Sequence, residues 1–136
     1  KDRYQRPLWL ELQTKHAWLS MRKAAKLDNV ILEAISGFRS YLYQKGIFDR
    51  KLAKGQTVEQ ILKVNAAPGF SEHHSGHAID IGTPSEPAAE ESFEATNAFD
   101  WLCEHAGQFG FKLSYPRDNL HGINYEPWHW CWHDNN

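Results

Sequence analysis

The chain has 136 residues, of which 41% are hydrophobic and 24% charged, the size and composition of one domain with room for a core of its own. That composition marks no disordered or low-complexity chain, and no apolar run approaches the roughly 18 residues a membrane-spanning helix needs. The net charge of −2 conceals two unlike parts: residues 1–54 carry 12 Lys and Arg against 5 Asp and Glu, and residues 55–136 carry 3 against 12. So balanced a pair of halves is not the clustered basic excess of a nucleic-acid binder. A basic half does favour an anionic peptide or polymer through long-range attraction.

Leu8, Leu12 and Leu19, followed by Ala24 and Leu27, recur at helical spacing and predict an opening helix over residues 6–26 with those side chains inward. Residues 30–35 read as a short strand closed by Ser36-Gly37. Ser40 is placed to cap a second helix through residue 52, with Gly46 interrupting it. Thr57 and Gln60 have capping-box spacing and open a shorter helix to about residue 64. Residues 65–75, punctuated by Pro68-Gly69, read as loop. Residues 77–81 alternate as a strand, and residues 83–94 form an acidic, Pro-rich surface loop. An amphipathic helix follows over residues 97–109, with Phe99, Leu102 and Ala106 on one side and Gly110 at its end. Residues 111–113 and 128–132 supply the last strands. Helices and short strands mixed without a βαβ rhythm predict an α+β fold, a small antiparallel sheet flanked by helices, in a single domain over residues 1–136.

Cys103 and Cys131 are too few for a zinc ribbon or a disulfide framework and read as two separate thiols, with a disulfide as the alternative in an oxidising compartment. The eight histidines pose the sharper question of which belong to a site. The densest stretch is Ser71-Glu72-His73-His74-Ser75-Gly76-His77-Ala78-Ile79-Asp80. Alternation along a strand puts Ile79 and Ile81 in the core and turns Asp80, with small Ala78, towards a cleft. Gly76 allows a tight turn that brings His73 back towards Asp80. Two imidazoles and a carboxylate leave one position open on a zinc ion.

The second stretch is Tyr125-Glu126-Pro127-Trp128-His129-Trp130. If residues 128–132 are extended, Trp128, Trp130 and Trp132 line one face and His129 the other. Glu126 then falls on the wrong face for His129, and only a turn or bulge at Pro127 brings the two together. His74 and His77 read as solvated or supporting groups, and His16, His105, His121 and His133 as structural or exposed.

Ser71-x-His73-x-x-Gly76-x-Ala78-x-Asp80 followed by Glu126-Pro-Trp-His129 resembles the signature of the zinc D-alanyl-D-alanine carboxypeptidases. That family includes the vancomycin-resistance enzymes and related L,D-carboxypeptidases. Ser36-Gly37-Phe38-Arg39-Ser40-Tyr41-x-x-Gln44 resembles its substrate-binding segment. The resemblance implies Zn²⁺ on His73, Asp80 and His129, with Glu126 as general base. It implies Arg39 holding the substrate near the scissile bond, and Gln44 and Ser71 as further substrate contacts. It also implies a zinc site in a cleft on the sheet, peptidoglycan stem peptides as partners, and release of a terminal D-alanine by water. Work in the cell envelope follows, with an export signal expected outside this chain, and a monomer is expected. L,D-carboxypeptidase or endopeptidase action at the same centre is the nearest alternative, and an inactive zinc-containing wall-binding module the other.

Overall fold

The structure is a computed structural model that describes residues 1–134. Its chain order is α1 (Leu12–Leu27), β1 (Glu33–Ser36), α2 (Tyr41–Ala53), α3 (Val58–Val64), β2 (Ala78–Gly82), α4 (Asn97–His105), β3 (Phe111–Leu113) and β4 (His129–Trp132). The four strands form one antiparallel sheet in the order β1-β2-β4-β3, so the α+β expectation stands. Short 3₁₀ turns over Glu72–Ser75, Glu91–Ala95 and Ala106–Phe109 occupy parts of what the sequence read as loops and a helix end.

Local chemistry explains most of these elements. Ser40 caps α2 by accepting from the Tyr43 N–H, and Thr57 and Gln60 close the expected capping box of α3. Gly46 does not interrupt α2. One expectation fails: the leucines of α1 do not face the core. Leu12 is 65% exposed and Leu27 79%, while Thr14, Trp18, Met21 and Ala25 are buried. Both stripes have helical spacing and lie on opposite faces of the helix. Burying the larger Trp18 and Met21 decides between them, and the chain before residue 12, Leu8 included, is not helical.

The core lies on one face of the sheet, where Ile79, Ile81 and Trp130 meet Trp18 and Met21 of α1 and Ala98 and Leu102 of α4. Each large apolar side chain buried there contributes about 1.5–3 kcal/mol. That face holds β2 and β4 in register, so the residues between the buried ones point to the other face at fixed places. Asp80 then pairs with His129 across the ladder, and a bulge that leaves Ile35 without a partner brings Ser36 opposite Asp80. Ser36, Asp80 and His129 thus form one row across three strands. Cys103 and Cys131 are both free thiols.

Candidate active site

Asp80 and His129 of that row line a cleft of about 130 Å³ whose walls include Arg39, Gln44, Ser71, His73 and Glu126. Every residue singled out from the sequence as a site residue is therefore in one place. The turn Glu72–Ser75 delivers His73, because Ser71 accepts from the His73 N–H and Gly76 closes the turn at φ +77°. Backbone contacts lock that turn to the segment after β1. The Arg39 N–H donates to the His73 carbonyl (3.1 Å), and the His74 Nδ1–H donates to the Arg39 carbonyl (2.7 Å). His74 also accepts from the Gly69 N–H at 3.0 Å, which makes it a clip between loops rather than a solvated side chain. His77 lies 3.6 Å from Glu11 with more than a third of its side chain exposed, and His16, His121 and His133 are exposed.

His73, Asp80 and His129 are all buried, and one donor atom from each lies within 4.8 Å of the others. Asp80 Oδ1 is 3.2 Å from His73 Nε2 and 3.2 Å from His129 Nδ1, while Oδ2 accepts from Arg39 at 2.7 Å. The two separations from Asp80 are close to the about 3.3 Å between neighbouring ligands that stand roughly 2.0–2.1 Å from a tetrahedral zinc ion. The chemistry of the donors makes the same point. The Gly37 carbonyl takes the Nδ1–H of His73 at 2.7 Å, so Nε2 turns a lone pair towards a carboxylate oxygen. Burial lowers the pKa of His73 further, which keeps that nitrogen unprotonated. A metal cation between two facing acceptors would satisfy both, and these residues fit one.

The second imidazole is arranged in the same sense. His129 Nε2 bonds to Glu72 Oε1 at 2.8 Å, which turns Nδ1 towards Asp80. Burial works against a charge on His129, but hydrogen bonds to Asp80 and Glu72 prevail and lift its pKa to about 9. Burial likewise works to raise Glu72, and hydrogen bonds from His129 and Ser114 overcome it and hold Glu72 at about 2. Burial also opposes the ionised form of Asp80, but the hydrogen bond from His129 and the charge of Arg39 hold its carboxyl well below the ordinary value. A divalent cation would take the place of the proton on His129.

Glu126 completes the group. The His129 N–H donates to the Glu126 carbonyl at 3.3 Å, closing a turn through Pro127, and the Glu126 N–H donates to the Tyr115 carbonyl at 3.0 Å. That turn solves the offset problem: β4 begins only at His129, so Glu126 is not bound to strand alternation and its carboxylate comes within 3.7 Å of His129 Nδ1. Burial pushes Glu126 up to about 7. Trp128 also lies outside β4 and lines the cleft while packing on the core, so it does not simply continue the stripe of Trp130 and Trp132. Tyr125 instead stacks on Arg117, and Tyr115 takes the position beside His129.

Around the centre, Arg39 Nε donates to Ser36 Oγ at 3.0 Å while its side chain remains 19% exposed. Gln44, 1% exposed, donates from Nε2 to the Ala66 carbonyl at 2.8 Å. Its Oε1 is buried and has no hydrogen-bond partner among the described residues, and it belongs to a side chain lining the cleft. Glu72 was missed by the sequence reading. Its position beside His73 in the first motif was the available signal, but its partner is 57 residues away.

An antiparallel sheet with two imidazoles and a carboxylate converging beside a buried glutamate defines an α+β protein with a candidate site for one metal ion. Residues 7–135 match the VanY family of D-alanyl-D-alanine carboxypeptidases, and the chain belongs to that family. It is 35% identical over 125 residues to the putative carboxypeptidase YodJ of Bacillus subtilis strain 168, a match covering 89% of this chain and 45% of YodJ. Its fold superposes on the LD-carboxypeptidase LdcB with a TM-score of 0.88 at 30% identity, covering 97% of this chain and 64% of the other. A vancomycin-resistance D,D-pentapeptidase VanY variant in complex with Zn(II) superposes with a TM-score of 0.74 at 30% identity, covering 90% and 72%. The chain thus spans less than half the length of YodJ. No helix among the described residues is long and apolar enough to cross a membrane.

Proposed function

We propose that this chain is a zinc carboxypeptidase that hydrolyses the terminal D-Ala-D-Ala bond of peptidoglycan stem peptides and acts in the cell envelope. The observation that carries the reading is Glu126, a buried carboxylate 3.7 Å from His129 in a cleft with His73 and Asp80. A purely structural metal site has no need of such a base. Family membership and the Zn(II) complex of a VanY relative support zinc as the cation.

A zinc ion held by His73, Asp80 and His129 supplies a Lewis acid for the scissile carbonyl and lowers the pKa of water. Glu126 accepts the proton of the attacking water and passes it to the departing amine of D-alanine. Its environment suits both halves of that task, since burial favours the protonated form and the cation favours the ionised one. Arg39, steadied by Ser36 and Asp80, directs positive charge at the oxygen where negative charge develops. Gln44 and Ser71 line the wall of the cleft against which the peptide would lie.

L,D-carboxypeptidase action has an observation in its favour, since LdcB superposes more closely and over more of the chain than VanY does. Both reactions release one D-alanine and need the same centre. The test is digestion of defined penta- and tetrapeptide muropeptides followed by mass spectrometry. Loss of one D-alanine from the pentapeptide, stopped by chelator and restored by Zn(II), is the expected result. Loss from the tetrapeptide alone would reassign the chain to L,D-cleavage. No release from either by zinc-loaded protein would leave a binding module.

A further inference from the structure

We propose that Glu72 is a positioning residue for the metal centre, holding the ring of His129 in the tautomer and direction that bind Zn(II). The proposal rests on the reading of His73, Asp80 and His129 as cation ligands. An imidazole has two nitrogens, and it serves a cation only if the one that faces the site carries the lone pair. For His129 the nitrogen facing Asp80 is Nδ1, at 3.2 Å, and the opposite nitrogen, Nε2, sits 2.8 Å from Glu72 Oε1. Donation of the Nε2–H to a carboxylate therefore leaves Nδ1 free for the cation and fixes the ring plane.

The two imidazoles are held differently. His73 gives its spare N–H to a neutral carbonyl, that of Gly37, whereas His129 gives its own to a charged group. A charged acceptor makes His129 the stronger donor to a cation. It also corrects the local charge. Arg39, 2.7 Å from Asp80 Oδ2, neutralises the one carboxylate among the three ligands, and Glu72 restores a negative charge close to the centre. Glu72 is well placed for this, because it opens the same 3₁₀ turn that presents His73. One turn thus supplies a ligand directly and orients a second ligand carried by β4.

The experiment is Zn(II) affinity, measured on the whole protein by competition with a chromophoric chelator, for wild type, Glu72→Gln and Glu72→Ala. Thermal melts of the zinc-free forms run alongside. Glu72→Ala is expected to bind Zn(II) about 10- to 100-fold more weakly. Glu72→Gln keeps an oxygen that accepts the Nε2–H but loses the charge, so it is expected to fall between. Unchanged affinity in both variants would overturn the proposal. So would equal weakening in both, matched by equal losses of zinc-free stability, since that pattern belongs to a purely structural contact. If Glu72→Ala does not fold, Glu72→Gln decides alone: weaker binding at unchanged zinc-free stability supports the proposal, and wild-type affinity overturns it. No substrate enters the measurement. A wild type that binds no Zn(II) removes the ligand reading itself, whereas tight wild-type binding with unaffected variants removes only the role of Glu72.

Discussion

The proposed reaction turns on Glu126, and strand alternation alone puts it on the wrong side of His129. The sequence carried the identity of the residue and the hint of Pro127, but not the turn that solves the geometry. The His129 N–H to Glu126 carbonyl bond does so within four residues. Replacing the carboxylate by an amide of the same shape, Glu126→Gln, should lower kcat by about 10²–10⁴-fold and leave Zn(II) affinity within a few-fold, because Glu126 stands beside the three ligands rather than among them. Steady-state kinetics with a titrated zinc content checks this, and an unchanged kcat would take the base role away from Glu126. Gln44 is similar in kind. Its place in a polar motif was legible, but that its Oε1 lies buried and unpaired depends on Ala66 in another loop, which ties down Nε2.

Among the elements, the turn Glu72–Ser75 with Gly76 does most to assemble the centre. Gly76 has φ +77°, and a Cβ there would lie 2.9 Å from the backbone N of Glu11, whose N–H donates to the Gly76 carbonyl. Gly76→Ala should therefore cost about 1–3 kcal/mol in denaturant unfolding, and it should also weaken Zn(II) binding because His73 rides on the turn. Full wild-type stability in that variant would show that the turn adapts and that glycine is not required there. Helix α1 teaches the opposite lesson about legibility. Its existence was plain from spacing, but two apolar stripes on opposite faces were available. Which stripe is buried follows from contact of Trp18 and Met21 with β2, β4 and α4, not from the helix itself.

Over the whole molecule, the ligands come from the turn before β2, from β2 itself and from β4, so a bound cation ties together segments 56 residues apart in the chain, from His73 to His129. Zn(II) at 100 times its dissociation constant should stabilise the fold by about 2.7 kcal/mol. For a domain of this size, that raises the thermal midpoint by on the order of 10 °C. Chelator should reverse the shift, and a midpoint indifferent to both would argue against a cation at this site. The division of charge between the two parts of the chain needs no nucleic acid to explain it: the acidic residues that matter most, Glu72, Asp80 and Glu126, serve the cleft, which Arg39 from the basic part borders.

Residue order alone carries the α+β class, the caps Ser40 and Thr57, and, through motif resemblance, the candidate triad His73, Asp80 and His129 with Glu126 and Arg39 beside it. These are local or pattern properties, carried by residue type, spacing and strand alternation. Long-range packing settles which face of α1 is buried, how Glu126 reaches His129, that Glu72 meets His129, and that His74 clips Arg39 to the Gly69 loop. Each of those depends on a partner distant in the chain or on competition between near-equal local choices. Burial of the sheet's apolar face settles that competition by fixing the register of β2 and β4.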